Sequence, residues 1–242
     1  MAGHSKFKNI QHRKNAQDKK RAKLFTRVVR EIITAAKTGA KEPEHNARLR
    51  SAIIAARAVN LPKDRIDKAL SQADSSNEDF NYIDIRYEGF LPGGIAVIVD
   101  ASTNNRNRTA SEVRSIFTKF GGQLEETGKL SFMFDKFGFI EYEAEVATED
   151  EFMEAAIEAG AIDCLSNEDN HTIYTTVEEF NKILELVTKK FQSPTDAYIG
   201  WKPQNIIPVE SEEKEEKIQR MVDLLEDNDD VQRVFSNSSV TN

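Results

Sequence analysis

Between residues 137 and 203 the chain changes its hydrophobic period in an order that few folds can use. "FGFIEYE", "AIDCLSN", "HTIYTTV" and "DAYIGWKP" are short runs rich in β-branched and aromatic residues, and they read as strands. "EDEFMEAAIEAG" follows the first run and "VEEFNKILELVTKKF" the third, each with apolar residues at helical spacing. Strand, helix, strand, strand, helix, strand is the split βαβ order of a ferredoxin-like sandwich.

The flanks carry a second set of alternating signals. "YIDIRYEG" and "IAVIVDA" read as strands, and Pro92, Gly93 and Gly94 between them have turn chemistry. "RTASEVRSIFTKFG" reads as a helix with Val113, Ile116, Phe117 and Phe120 inward, and "KLSFMFD" as a strand. The chain closes with strand "NIIPVES", helix "EEKEEKIQRMVDLLED" and strand "DVQRVFSN". These last elements complete the first sheet if the ferredoxin-like unit is inserted within it.

Upstream the pattern is helical. Leu24, Phe25, Val28, Val29, Ile32, Ile33 and Ala36 form one apolar stripe, and Gly39 stops the helix. "ARLRSAIIAARAV" is a second helix with Leu49, Ile53, Ile54 and Ala56 on its buried side. "NLPKDRIDKAL" starts a third, with Asn60 as its cap and Ile66 and Leu70 inward. The expected fold is therefore α+β: an N-terminal three-helix domain followed by two α/β sandwich domains, the ferredoxin-like third inserted in the second. The expected boundaries are 1–78, 79–136 plus 204–242, and 137–203.

Charge is divided along the same lines. Residues 1–68 hold 18 Lys+Arg against six Asp+Glu, a net of +12, while the remainder holds 15 against 35, a net of −20. Ten of those bases precede residue 31, with Asp18 the only acid among them. Such a pole steers encounter with a polyanion. Lys20, Lys23, Arg27, Arg30 and Lys37 recur in three-, four- and seven-residue steps, away from the apolar stripe, which suits phosphates along a nucleic-acid backbone. Lys6, Lys8, His12, Arg13 and Lys14 precede the helix as an arm that orders on binding, and Lys19 and Arg21 add to the helix itself. Phe7 and Ile10 interleave with these bases, either to stack on a nucleobase or to anchor the arm. The competing reading is a solvated basic face that only aids solubility. No helix-turn-helix, zinc-finger or RNA-recognition signature accompanies the arm, so phosphate contact is expected without base readout.

A second candidate is "STNNRNRT", where Asn105, Arg106, Asn107, Arg108 and Thr109 stand at a helix start and could hold an anion. Its plainer reading is a loop in which Asn caps the helix and Arg pairs with a nearby acid. "YEGFLPGG" is read as a structural turn.

Catalytic patterns are missing. There is no phosphate-binding glycine loop, dinucleotide fingerprint or nucleophile elbow. His4, His12, His45 and His171 lack metal-ligand spacing, and Cys164, the single cysteine, reads as an apolar filler in a reducing compartment. The chain is expected to be cytoplasmic, non-enzymatic and free of cofactors. No apolar run is long enough for a bilayer, and the basic start lacks the Ser enrichment of a transit peptide.

"MAGHSKFKNIQHRKNAQDKKRAKLFTR" resembles the YebC family, which includes the mitochondrial translational activator of cytochrome c oxidase. Further similar stretches are "NARLRSAIIAARAVNLPKDRIDKAL", "YEGFLPGGIAVIVD", "NNRNRT", "GGQLEETGKLSFMF" and "DAYIGWKPQNIIPV", so the resemblance covers nearly the whole chain. Phe7 stands where the family usually has Trp, Leu91 where it has Gly, and Glu125 where a small residue is common. The resemblance implies the same three-domain nested topology and no catalytic residue or cofactor. It implies a gene-expression regulator, described either as a DNA-binding transcriptional regulator or as a translation factor acting on the ribosome. The expected partner is thus DNA or ribosomal RNA, with the ribosome itself a candidate and no membrane or small-molecule substrate. Two alternatives are a small-molecule sensor built on the ferredoxin-like unit and a phosphate-ester enzyme using the "NNRNRT" loop as an anion clamp.

Overall fold

The computed structural model of the chain describes residues 22–209 and 211–240. Two units separate by their contacts, Met1–Ser75 and Ser76–Asn242.

In the first unit, helix α1 covers residues 22–38, α2 Ala47–Ala58 and α3 Lys63–Ala73. Ile32, Ile33, Ala36, Leu49, Ala52, Ala56, Leu61 and Ala69 are buried, and Thr34 and Ala35 with them. Ile53 and Ile54, expected on the inner side of α2, are only half-buried, because the buried line runs through Leu49, Ala52 and Ala56 at three- and four-residue steps. Asn46 ties two helix ends together. Its Oδ1 accepts from the Leu49 N–H (3.0 Å) as the α2 cap, and its Nδ2 donates to the carbonyls of Ala35 (2.8 Å) and Ala40 (2.6 Å). Gly39 makes room for this, since a Cβ there would come 2.6 Å from Asn46 Nδ2.

Asn60 does not cap α3. It ends α2 with φ +55°, its N–H donating to Arg57 O while Leu61 N–H donates to Ala56 O. That is a Schellman closure, which asparagine tolerates because its short polar side chain accepts the left-handed region. α3 starts instead from Pro62, whose fixed φ leads into the first turn without a side-chain cap.

In the second unit, β1 (Ile83–Leu91) and β2 (Ile95–Thr103) form an antiparallel hairpin. Gly93 and Gly94 turn it with φ of +93° and +79°, while Leu91 ends β1 as a buried strand residue, a place that asks for no glycine. Helix α4 (Arg106–Lys119) follows, then the short edge strand β3 (Gln123–Glu125). β4 (Phe134–Glu143), α5 (Glu149–Ala159), β5 (Asp163–Ser166), β6 (Asn170–Thr175), α6 (Phe180–Phe191) and β7 (Asp196–Pro203) come next. α7 (Glu212–Glu226) and β8 (Val231–Ser236) close the chain. The two sheets are four-stranded, with orders β3-β1-β2-β8 and β5-β6-β4-β7, and every named pairing is antiparallel. The second has the ferredoxin-like strand order, and β8 returns to the first sheet after it, so the fold is α+β with the inserted sandwich.

Two local expectations are corrected. "KLSFMFD" is not a separate strand: Gly128 turns the chain at φ +98°, Ser131–Met133 form one 3-10 turn, and Phe134 opens the long β4. The third strand of the first sheet is Gln123–Glu125 instead. Among its described residues "NIIPVES" contributes one bridge, Ile207 with Ser238, since Pro208 lacks the N–H a ladder needs.

α4 and α7 cover one face of the first sheet, burying Val113, Phe117, Met221 and Leu225 on Val97, Val99 and Val231. The other face carries Ala96 and Ile98 against Leu130 and Phe134, with Phe90, Trp201 and Phe235 at the rim. β2 is thus covered on both sides, which explains its unbroken apolar run. The β7 edge of the second sheet meets this face through paired groups. Trp201 Nε1 donates to Asp100 (3.1 Å) and Arg86 stacks 4.5 Å from the Trp201 ring centroid. Arg233 Nη2 donates to both carboxylate oxygens of Asp196 (2.8 and 2.9 Å), and the guanidinium lies 3.3 Å from the Tyr198 ring centroid.

Burial pushes the Asp100 carboxyl above its ordinary range, against the pull of Trp201 and Arg86. Its contribution to stability is therefore complete below the ordinary carboxylate range and is lost as pH rises through the raised value. Asp100→Asn, which keeps an acceptor for Trp201, is expected to gain stability over the parent at about pH 7 relative to about pH 4. Chemical denaturation at both pH values checks the sign.

Candidate nucleic-acid interface

On α1, Lys23, Arg27, Arg30 and Lys37 share one side of the helix, opposite Phe25, Val28, Val29, Ile32 and Ile33. All four bases are half-buried, as long stems lying along a helix surface will be. Lys6, Lys8, His12, Arg13, Lys14, Lys19, Lys20 and Arg21 lie outside the described residues.

Arg48 reaches Glu31 with two bonds (2.6 and 2.8 Å), Lys41 pairs with Asp74, and Arg50 donates to the carbonyls of Pro43 (3.1 Å) and Glu44 (3.0 Å). Arg57, Lys63, Arg65 and Lys68 are exposed on α2 and α3, with Asp64 and Asp67 interleaved. Attention to the arm alone passes over these four, although the net charge of residues 1–68 already includes them.

The "NNRNRT" segment is mostly helix: Arg106, Asn107, Arg108 and Thr109 form the first turn of α4, and Asn105 caps it by accepting from Arg108 N–H (3.1 Å). The cluster is organised by Asp230, a buried residue just before β8. Its Oδ2 accepts from Arg108 Nη2 (2.6 Å), Thr109 Oγ1 (2.7 Å) and Thr103 Oγ1 (3.0 Å). Thr103 Oγ1 also accepts from Asn105 N–H (2.9 Å). The hydrogen bond to Asp230 raises the Arg108 pKa further, so the guanidinium stays charged. The donors of Arg108 and Thr109 thus already meet a carboxylate of the chain, and Arg106 and Asn107 stand exposed beside them. Nothing local in the sequence marks Asp230 as their partner.

Elsewhere the chemistry is quiet. Burial, then Asp163 and Glu149, push the Cys164 thiol up to about 11, so it stays protonated near neutral pH. His171 is buried and stacked on Phe152 (4.5 Å), with Nδ1 near Ser166 Oγ (2.7 Å) and Nε2 near the carbonyls of Ala144 and Ala147. Among the described residues no group of three or more His, Cys, Asp or Glu could hold a metal ion, and no helix is long and apolar enough to cross a membrane.

Comparison with known proteins places this geometry. Residues 5–76 match the family described as TACO1/YebC protein N-terminal domain, and residues 82–238 match TACO1/YebC second and third domain. A probable transcriptional regulatory protein of Rickettsia bellii (strain OSU 85-389) is 58% identical over 237 residues, covering 98% of this chain and 93% of that one. Its counterpart in Rickettsia felis is 58% identical over 238 residues, covering 98% and 94%. The crystal structure of a conserved hypothetical protein from Aquifex aeolicus superposes with a TM-score of 0.84 at 41% identity, over 90% of each chain. On both matched segments, and on relatives that span almost its whole length, the chain belongs to the TACO1/YebC family.

Proposed function

We propose that the chain is a nucleic-acid-binding regulator of gene expression that docks its basic N-terminal helices on a phosphate backbone. One observation carries the reading. In α1 the basic side stands opposite the side that builds the core, within a segment of net charge +12 on a chain of net charge −8. Burial of Ile32, Ile33, Ala35 and Ala36 fixes the helix, and its bases recur at successive turns, a spacing suited to phosphates. The names of the Rickettsia relatives, probable transcriptional regulatory proteins, agree with it.

In this reading residues 1–78 form the nucleic-acid-binding domain, and 79–136 with 204–242 and the inserted 137–203 reach a second surface. Lys6, Lys8, His12, Arg13, Lys14, Lys19, Lys20, Arg21, Lys23, Arg27 and Arg30 supply the contacts, with the loop of Asn105, Arg106, Asn107, Arg108 and Thr109 secondary to them. Phosphate contacts position without reading sequence, so the target is recognised by shape and charge. Ribosomal RNA suits that mode, since its helices are read by shape, and duplex DNA is the competing target. The protein works in the cytoplasm and catalyses no step.

Replacing Lys20, Lys23, Arg27 or Arg30 with Ala is expected to lower the salt slope of binding by about one per residue, with affinity falling uniformly across sequences. Gel shifts of ribosomal RNA fragments and DNA duplexes across a salt series measure both. An unchanged slope after all four replacements moves the contact surface elsewhere. Crosslinking in cells followed by sequencing of the bound nucleic acid identifies the target.

A further inference from the structure

In a two-layer sandwich one sheet face packs on helices and the other is ordinarily polar. The second sheet departs from that rule. On its helix-covered side Tyr142 of β4 already meets Phe152 of α5 and Phe191 of α6, and Phe180 of α6 is buried against Gly138. Its opposite face carries a second aromatic set, Phe137 and Phe139 on β4, Tyr174 on β6 and Tyr198 on β7. Tyr174, Phe139 and Tyr198 are direct register partners and form a row across three strands. Phe139 stacks on Tyr198 (4.9 Å between centroids) and meets Tyr174 edge-on (5.2 Å), and Phe137 meets Tyr174 edge-on (6.3 Å).

The β7 end of the row is held under Arg233 and Phe235, whereas Phe137 and Tyr174 are half-buried and Leu165 on the edge strand β5 is 52% exposed. Carboxylates beside these rings are already engaged, one of them by Arg233 of β8. Asp163 pairs with Lys202 (3.2 Å), Asp196 with Arg233, and Glu141 accepts from Tyr198 Oη (2.8 Å). Lys202 holds its ammonium 3.8 Å from the Tyr174 centroid and 5.9 Å from that of Phe137. Half-buried rings with a cation beside them match the faces and phosphates of unpaired nucleotides.

We propose that this face is a stacking platform for single-stranded RNA, with Phe137 and Tyr174 receiving bases, Phe139 backing them, and Lys202 turning to the adjacent phosphate. Folded RNA offers unpaired bases in its loops and bulges, and the Thr172 hydroxyl, on the same side of β6 as the Tyr174 ring, suits its 2′-hydroxyls. The proposal draws on no property of the N-terminal unit and stands apart from the basic-helix reading.

Fluorescence anisotropy of the full chain with a labelled single strand of eight uridines, across a salt series, tests it. Phe137→Ala and Tyr174→Ala are each expected to weaken binding about ten-fold with the salt slope unchanged, while Tyr174→Phe stays within about two-fold. 4-Thiouridine in the same strand is expected to crosslink the parent chain at Phe137 or Tyr174, a readout that survives if a variant fails to fold. Full affinity in both well-folded alanine variants, crosslinks confined to other segments, or equal binding of duplex RNA or of eight deoxythymidines would overturn it. Loss of the aromatic effects with the salt response of α1 intact sinks this proposal alone. The reverse pattern sinks the basic-helix reading alone.

Discussion

Phe117→Ala is expected to lower the stability of the Ser76–Asn242 unit by about 3–5 kcal/mol. Phe117 is fully buried and lies where α4 meets the first sheet. Its ring fills the space left by two glycines. A Cβ on Gly89 would come within 2.5 Å of Phe117 Cε1, and one on Gly122 within 3.4 Å of its Cδ1. The ring loses its transfer free energy on truncation and leaves a cavity that strands β1 and β3 cannot fill, since their backbones are hydrogen-bonded to each other. Gly89→Ala separates ring from backbone. Its Cβ would also stand 2.5 Å from the Gln123 carbonyl, so it stays destabilising when combined with Phe117→Ala. Urea denaturation checks both, with a midpoint that falls and a slope that does not.

Asp230→Ala is expected to cost about 2–4 kcal/mol. The carboxylate is 2% exposed and is the acceptor for the buried Thr103 and Thr109 hydroxyls as well as Arg108. Its removal takes the shared acceptor from both hydroxyls, leaves them only one another and the Asn105 carbonyl, and opens a buried polar hole beside them. Arg108→Ala costs less, about 1–2 kcal/mol, because the Asp230 carboxylate keeps both threonine hydroxyls and the space vacated by the 45% exposed Arg108 side chain admits water. Asp230→Asn keeps an acceptor and falls between the two. A thermal or chemical denaturation series on the three variants should return that order, and equal losses for Arg108→Ala and Asp230→Ala would contradict it.

The fold was legible in the sequence where period and order agree. The 137–203 unit announces itself because each strand and helix has its own period and the order admits one strand arrangement. Errors fell where local pattern and tertiary context diverge. "KLSFMFD" alternates like a strand, yet Leu130 N–H is drawn to the buried Glu88 carboxylate (2.7 Å), which holds this stretch out of the ladder. Gln123–Glu125 is too short to show a period, and only its pairing with β1 makes it a strand. Asn60 before Pro62 looks like a cap, but the preceding helix claims it first. The candidate site shows the same division. The basic side of α1 follows from residue spacing alone, whereas the acceptor of Arg108 lies 122 positions away. Phe137 and Phe139 alternate visibly with Gly138 and Ile140, but which set the helices cover is a property of the assembled sandwich.

Phe134 and Pro203, the first residue of β4 and the last of β7, are register partners. The chain therefore enters and leaves the ferredoxin-like lobe through one doorway, two peptide crossings about a strand's width apart. A lobe hung by such a paired stem behaves as a graft. It can be lengthened, exchanged or lost over evolutionary time while the host sheet keeps its own strand order, provided something apolar still shelters Ala96 and Ile98.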